Sequence, residues 1–155
     1  RGACVNAGCP PGVTRSERTS SVMEDLVFFY GTLMRPFNRA GRLRVGDHLV
    51  YVGRGTISAV LFDLGIYPAA VPASDATAWG EVYRMTHPAI VLQVLDEFEG
   101  CRTEEPDSSL YTRALAPVTL DGGPIIDAWV YFYNAPLGRA ERIHSGDYLE
   151  HLKLR

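Results

Sequence analysis

The pattern of apolar and polar positions changes character at Leu26. Residues 1–22 are rich in Gly, Pro, Ser, Thr and Arg and show no apolar periodicity. Leu26-Val27-Phe28-Phe29-Tyr30 is then an unbroken apolar run closed by Gly31-Thr32, which predicts a buried strand running into a tight loop. Met34–Asp47 is basic and carries Pro36, Asn38, Gly41 and Gly46, so it reads as loop with at most a helical turn. His48–Gly53 and Gly55–Leu64 predict two strands around a Gly53-Arg54-Gly55 turn, and Ile66–Ser74, interrupted by Pro68 and Pro72, predicts irregular structure. Ala78–Met85 alternates, with Trp79, Glu81, Tyr83 and Met85 sharing one side, as a strand should. Tyr111–Leu120 and Ile125–Tyr133 predict a strand pair across Asp121-Gly122-Gly123-Pro124, and Ser145–Leu152 predicts a short terminal helix.

One helix is well marked. Thr86 suits an N-cap, Pro88 falls in the first turn where no backbone donor is lost, and Gly100 suits the C′ position after Glu99. The tally is five to seven strands and one or two helices. The strands do not alternate with helices, which argues against a doubly wound parallel sheet. The expected fold is α+β: a small mixed, mainly antiparallel β-barrel with helices packed outside.

Composition narrows the picture further. A chain of 155 residues suits one domain. Its 46% hydrophobic and 21% charged content is that of a globular protein and excludes global disorder. The net charge of −3 offers no surplus of cations for phosphate, so no nucleic-acid partner is expected. No apolar run approaches the roughly 20 residues of a membrane helix, so no membrane partner is expected either. Of Cys4, Cys9 and Cys101, the first two could form a bridge, or all three could be reduced thiols in a cytoplasmic protein. His48, His87, His144 and His151 show no metal-ligand spacing, and no metal is expected. The first methionine is Met23. The expectation is an N-terminal extension over residues 1–22 and a working domain over 23–155.

The helix carries the candidate chemistry. Val91, Leu95 and Glu99 recur every four residues and share a face, whereas Asp96 and Glu97 fall on another and read as solvated. Glu99 thus ends an apolar stripe in the last helical turn. Burial and the negative end of the helix dipole would both raise its pKa, which suits a proton-transfer group. The pattern alone equally allows Glu99 to swing into water or to pair with Arg102 or Arg113. Tyr30-Gly31-Thr32-Leu33 is the second feature. A strand ending in such a turn presents consecutive backbone N–H groups that can hold a carboxylate or an oxyanion, although the same residues make ordinary turns. No phosphate-binding glycine loop or nucleophile elbow is present, and Cys101 follows the helix end that raises a thiol pKa.

Taken together, these stretches resemble the γ-glutamylcyclotransferase-like family, its AIG2-like (γ-glutamylamine cyclotransferase) branch in particular. The match is carried by Tyr30-Gly31-Thr32-Leu33, Gly55-Thr56-Ile57, Leu61-Phe62-Asp63-Leu64-Gly65, Tyr67-Pro68-Ala69 and Trp79-Gly80-Glu81-Val82-Tyr83. It continues through Leu95-Asp96-Glu97-Phe98-Glu99-Gly100, Tyr111-Thr112-Arg113, Ala128-Trp129-Val130-Tyr131 and Ser145-Gly146-Asp147-Tyr148. The resemblance implies an enzyme that needs no cofactor and converts a γ-glutamyl amine or γ-glutamyl amino acid into 5-oxoproline and a free amine. It implies that Glu99 is general base and acid, and that Gly31, Thr32 and Leu33 bind the γ-glutamyl part. Tyr30 and Tyr111 would sit in or near the pocket, and Arg113 would support it. The alternative expectation is a non-catalytic module binding a small carboxylate in the same pocket.

Overall fold

The computed structural model describes residues 22–37, 41 and 43–153. The expected extension and any Cys4–Cys9 bridge fall in or at the edge of residues 1–21, outside the described residues. Six strands and two helices follow: β1 (Leu26–Phe29), β2 (Leu49–Asp63), β3 (Pro68–Met85), α1 (Pro88–Glu99), β4 (Tyr111–Leu120), β5 (Ile125–Tyr133), β6 (Glu141–Ile143) and α2 (Tyr148–Lys153). The sheet order is β3-β1-β5-β4-β2, and β2 pairs again with β3, so five strands close on themselves. β6 lies on the outer part of β2, with Leu61 opposite Ile143. Every pairing is antiparallel except β1 with β5, which gives the mixed, mainly antiparallel barrel.

β1 lies between β3 and β5 and has no polar face. Val27, Phe28 and Phe29 are almost fully buried, which explains why its sequence is a continuous apolar run rather than an alternating one. The barrel closes where Gly55 and Thr56 of β2 meet Leu120 and Thr119 of β4. This corrects the expected Gly53-Arg54-Gly55 turn, because β2 passes straight through it. A Cβ on Gly55 would come within 2.8 Å of the Thr119 carbonyl oxygen, so the glycine serves strand approach instead of reversal. The irregular stretch expected from Ile66 to Ser74 is also corrected: β3 starts at Pro68, paired with Asp63. Pro72 is tolerated because the register slips beside it, between Ser58 opposite Thr77 and Ala59 opposite Pro72.

α1 packs Val91 and Leu95, both fully buried, onto the barrel. It ends as expected, with Gly100 left-handed at φ 68° and its N–H bonded to the carbonyls of Asp96 and Glu97. Its start is one residue later than Thr86 implied. His87 is the N-cap and Pro88 occupies the first turn, so the ring supplies the helical φ and no side-chain cap is made. The terminal helix begins at Tyr148, after a turn in which the Asp147 carboxylate accepts the N–H groups of Leu149 and Glu150.

Candidate active site

A cavity of about 170 Å³ opens between the end of β1, the β2–β3 turn and the C-terminal end of α1. It brings together Tyr30, Gly31, Thr32, Leu33, Glu99 and Tyr111, the first and last of them 81 positions apart in sequence. Arg113 is not among its lining residues.

The turn after β1 is built by local rules. Met34 donates its N–H to the Gly31 carbonyl at 3.0 Å, closing the reversal. Gly31 has no room for a side chain, since a Cβ would sit 2.7 Å from Pro68 Cγ. The N–H groups of Thr32 and Leu33 have no backbone acceptor among the described residues. Glu81 of β3 holds the far side of this turn. It is 6% exposed, yet its carboxylate accepts the Arg35 N–H at 3.0 Å and the Tyr83 hydroxyl at 2.7 Å. Sequence reading placed Glu81 only within a motif; the long-range contact to Arg35 had no local signal.

Among the described residues Glu99 is the one carboxyl lining the cavity. Burial pushes its pKa from 4.5 up to about 7. Neither Arg102 nor Arg113 neutralises it, because Arg102 binds Glu105 at 3.2 Å and Arg113 binds Asp96. The two tyrosines stand around the same charge. Tyr30 and Tyr111 are both raised, first by burial; Glu99 adds to each, after Tyr111 in the case of Tyr30. Their hydroxyls are anchored: Tyr30 donates to the Tyr131 carbonyl at 2.6 Å and Tyr111 to the Pro68 carbonyl at 3.0 Å. They therefore shape the wall and stay protonated at neutral pH.

Asp96 corrects the solvated reading. Arg113 grips it with two N–H groups at 2.9 and 3.1 Å, and the Tyr131 hydroxyl adds a third bond at 2.6 Å. Arg113 also lies over the Trp129 ring. The last turn of α1, which also carries Glu99, is thus tied to β4 and β5. Cys101 is buried and its thiol is raised by that burial and then by Asp96, which leaves it a poor nucleophile at neutral pH.

Outside the cavity, Asp63, Glu141 and His151 bring ligand-type atoms within 4.8 Å of one another, a grouping their sequence spacing conceals. Asp63 is already engaged: one oxygen accepts the Gly65 N–H at 2.7 Å and the other meets His151 Nε2 at 2.9 Å. The grouping works as a clasp between α2 and the β2–β3 turn. Among the described residues no helix is long and apolar enough to cross a membrane.

Over 90 residues the chain is 36% identical to the gamma-glutamylcyclotransferase family protein YtfP of Escherichia coli K12, covering 58% of this chain and 67% of that one. The solution structure of ytfP from Escherichia coli superposes with a TM-score of 0.57 at 32% identity, over 81% of this chain and 97% of that one. The crystal structure of YkqA from Bacillus subtilis gives a TM-score of 0.63 at 26% identity over 85% of this chain, which spans only 42% of YkqA. Residues 27–150 match the family model described as gamma-glutamyl cyclotransferase, AIG2-like, a span that contains all of β1 but its first residue, the turn at Gly31 and Glu99. The barrel and the order of its motifs agree with that match, and the chain belongs to the gamma-glutamyl cyclotransferase, AIG2-like family.

Proposed function

We propose that the protein is a cyclotransferase that closes a γ-glutamyl amine or γ-glutamyl amino acid to 5-oxoproline and releases the free amine, with Glu99 as general base and then acid. Membership of the family supports a cyclotransferase-like enzyme. The observation that carries the finer reading is a carboxyl that burial raises to about 7, with no cation partner among the described residues, inside a cavity beside the turn at Thr32 and Leu33. That midpoint suits a group that must take and return a proton near neutrality.

The chemistry assigns each group a task. Glu99 takes a proton from the substrate's α-ammonium. The freed amine attacks the γ-carbonyl carbon of the same molecule, forming the ring C–N bond. Holding the chain folded for this attack supplies an effective molarity of roughly 10⁵–10⁸ M. The carbonyl oxygen becomes an oxyanion, for which the Thr32 and Leu33 amides are candidate donors, each worth about 3–4 kcal/mol in such a role. Protonated Glu99 then gives its proton to the leaving nitrogen, and the original amide bond breaks. The ring nitrogen then gives its remaining extra proton to the released amine, directly or through Glu99, so one ammonium enters and one leaves, and this sequence requires neither a metal nor a nucleophilic side chain. Tyr30 and Tyr111 wall the γ-glutamyl part, and Arg113 holds α1 through Asp96. A cytoplasmic setting belongs to the same proposal.

The test is 5-oxoproline release from a panel of γ-glutamyl amides and γ-glutamyl amino acids by the wild type and by Glu99→Gln. The reading expects release by the wild type and a fall of about 10³-fold or more in the variant, the scale of general acid–base catalysis. Binding across the panel without turnover would favour the small-carboxylate module.

A further inference from the structure

The clasp at the outer end of β2 engages two of its three side chains. Asp63 Oδ2 meets His151 Nε2 at 2.9 Å, whereas the Glu141 carboxylate has no hydrogen bond or ion pair among the described residues. The sheet sets where Glu141 stands: on β6 it is the register partner of Asp63 on β2. Cross-strand partners place their side chains on one face with Cβ atoms about 4.5–5.5 Å apart, and like charges so placed repel. A proton on the His151 ring offsets one of the two negative charges. A divalent cation offsets both.

The donor atoms are also spaced for an ion. One ligand atom from each of the three residues lies within 4.8 Å of the other two. Ligands about 2.0–2.2 Å from a shared zinc ion stand roughly 3.0–3.5 Å apart, or about 4.2 Å if they face each other across it. Asp63 and His151 are already at the short end of that range, and the exposed Glu141 has the freedom to close the remainder. The Asp63 and His151 side chains are 5% and 14% exposed, so little water competes for the ion there, while Glu141 faces solvent and gives the way in. The second Asp63 oxygen accepts the Gly65 N–H at 2.7 Å, the kind of outer contact that orients a ligating carboxylate. One imidazole with two carboxylates suits a first-row divalent ion, because the nitrogen donor disfavours calcium and magnesium, which take oxygen.

We propose that Asp63, Glu141 and His151 bind a first-row divalent metal ion that cross-links β2, β6 and α2 and leaves its remaining positions to water. The site is separate from the cavity, yet it anchors the start of the turn that delivers Ile66, Tyr67 and Pro68 to the cavity wall. The ion holds that turn in place and takes no part in the cyclisation.

Zinc chloride titrated into the full chain, first stripped with chelator, tests the site by calorimetry and by melting temperature. Glu141→Gln is the sharpest variant, because it removes one ligand at an exposed position and leaves the Asp63–His151 contact standing; His151→Gln removes the nitrogen. At free zinc about a hundred times the wild-type Kd, the wild type should melt roughly 5–10 °C higher. Each variant should bind zinc at least about tenfold more weakly, since even outer contacts of a metal site are worth about 10–100-fold in affinity, and should lose half or more of that rise. Magnesium or calcium chloride at the same concentration should give no rise. Cobalt(II) is the second probe, since Cys4, Cys9 and Cys101 also offer ligands: nitrogen and oxygen ligation gives visible bands without thiolate charge-transfer absorption. The site is overturned by any of four results: no rise in the wild type, equal zinc affinity in Glu141→Gln, an equal rise with magnesium or calcium, or thiolate absorption accounting for all bound cobalt.

Discussion

Replacing Glu99 by Gln removes a charge that the fold retains at a cost, and the cost can be worked out. Burial lifts this carboxyl from 4.5 to about 7. At 1.36 kcal/mol per pH unit, ionising it in the folded protein costs about 3 kcal/mol more than in the unfolded chain. A raised carboxyl means that the folded state binds the extra proton between those two values, so wild-type stability falls as pH rises through that window. Below pH 4 both states are protonated and the term vanishes; above pH 8 both are ionised and the full cost applies. The glutamine variant lacks this titration. It should match the wild type near pH 4 and exceed it at pH 8 by up to about 3 kcal/mol, less whatever solvent reaching Glu99 through the cavity screens. For a domain of this size that is a rise of roughly 6–12 °C in melting temperature. Thermal or urea unfolding of both proteins across pH 4–8 measures it. A pH-independent difference, or a variant less stable at pH 8, would refute the desolvated carboxyl.

Three further outcomes follow from the contacts around it. Glu81→Met leaves the Arg35 N–H and the Tyr83 hydroxyl without an acceptor, so KM should rise by about tenfold, whereas Glu81→Gln, whose amide oxygen accepts both, should stay near wild type; steady-state kinetics decides. Asp96→Ala strands the largely buried Arg113 and should cost about 3–5 kcal/mol in urea unfolding. Cys101 should react with thiol reagents at neutral pH far more slowly than a free thiol, because burial raises it; timed mass spectrometry of the alkylated chain checks this.

The barrel and its site were legible to different depths in the chain. β1 and α1 were readable because each is dictated locally: a continuous apolar run for a buried strand, and a proline start with a glycine stop for a helix. Glu99 was readable because the four-residue spacing from Val91 through Leu95 fixes its face whatever the helix packs against. Gly53-Arg54-Gly55 misled because glycine serves both turns and close strand approach, and only the distant Thr119 distinguishes them. Pro68 and Pro72 misled because β3 accommodates them at its first residue and at a register slip, which pairing with β2 decides. Asp96 was misplaced because a polar face of a helix need not be a wet one when Arg113 and Tyr131 arrive from two strands. The cavity wall had no such local signal where Ile66, Phe98 and Leu110 line it, since they lie in three separate segments that only the fold joins.

The central claim is that Glu99 moves the proton in an intramolecular cyclisation, and the pH dependence of kcat/KM for 5-oxoproline release tests it most directly. Glu99 must be ionised to accept the α-ammonium proton, so activity should rise with pH along an acid limb whose midpoint lies at about 7, and Glu99→Gln should show no such limb. A profile level from pH 5 to 8, or the same limb in the variant, would contradict the account.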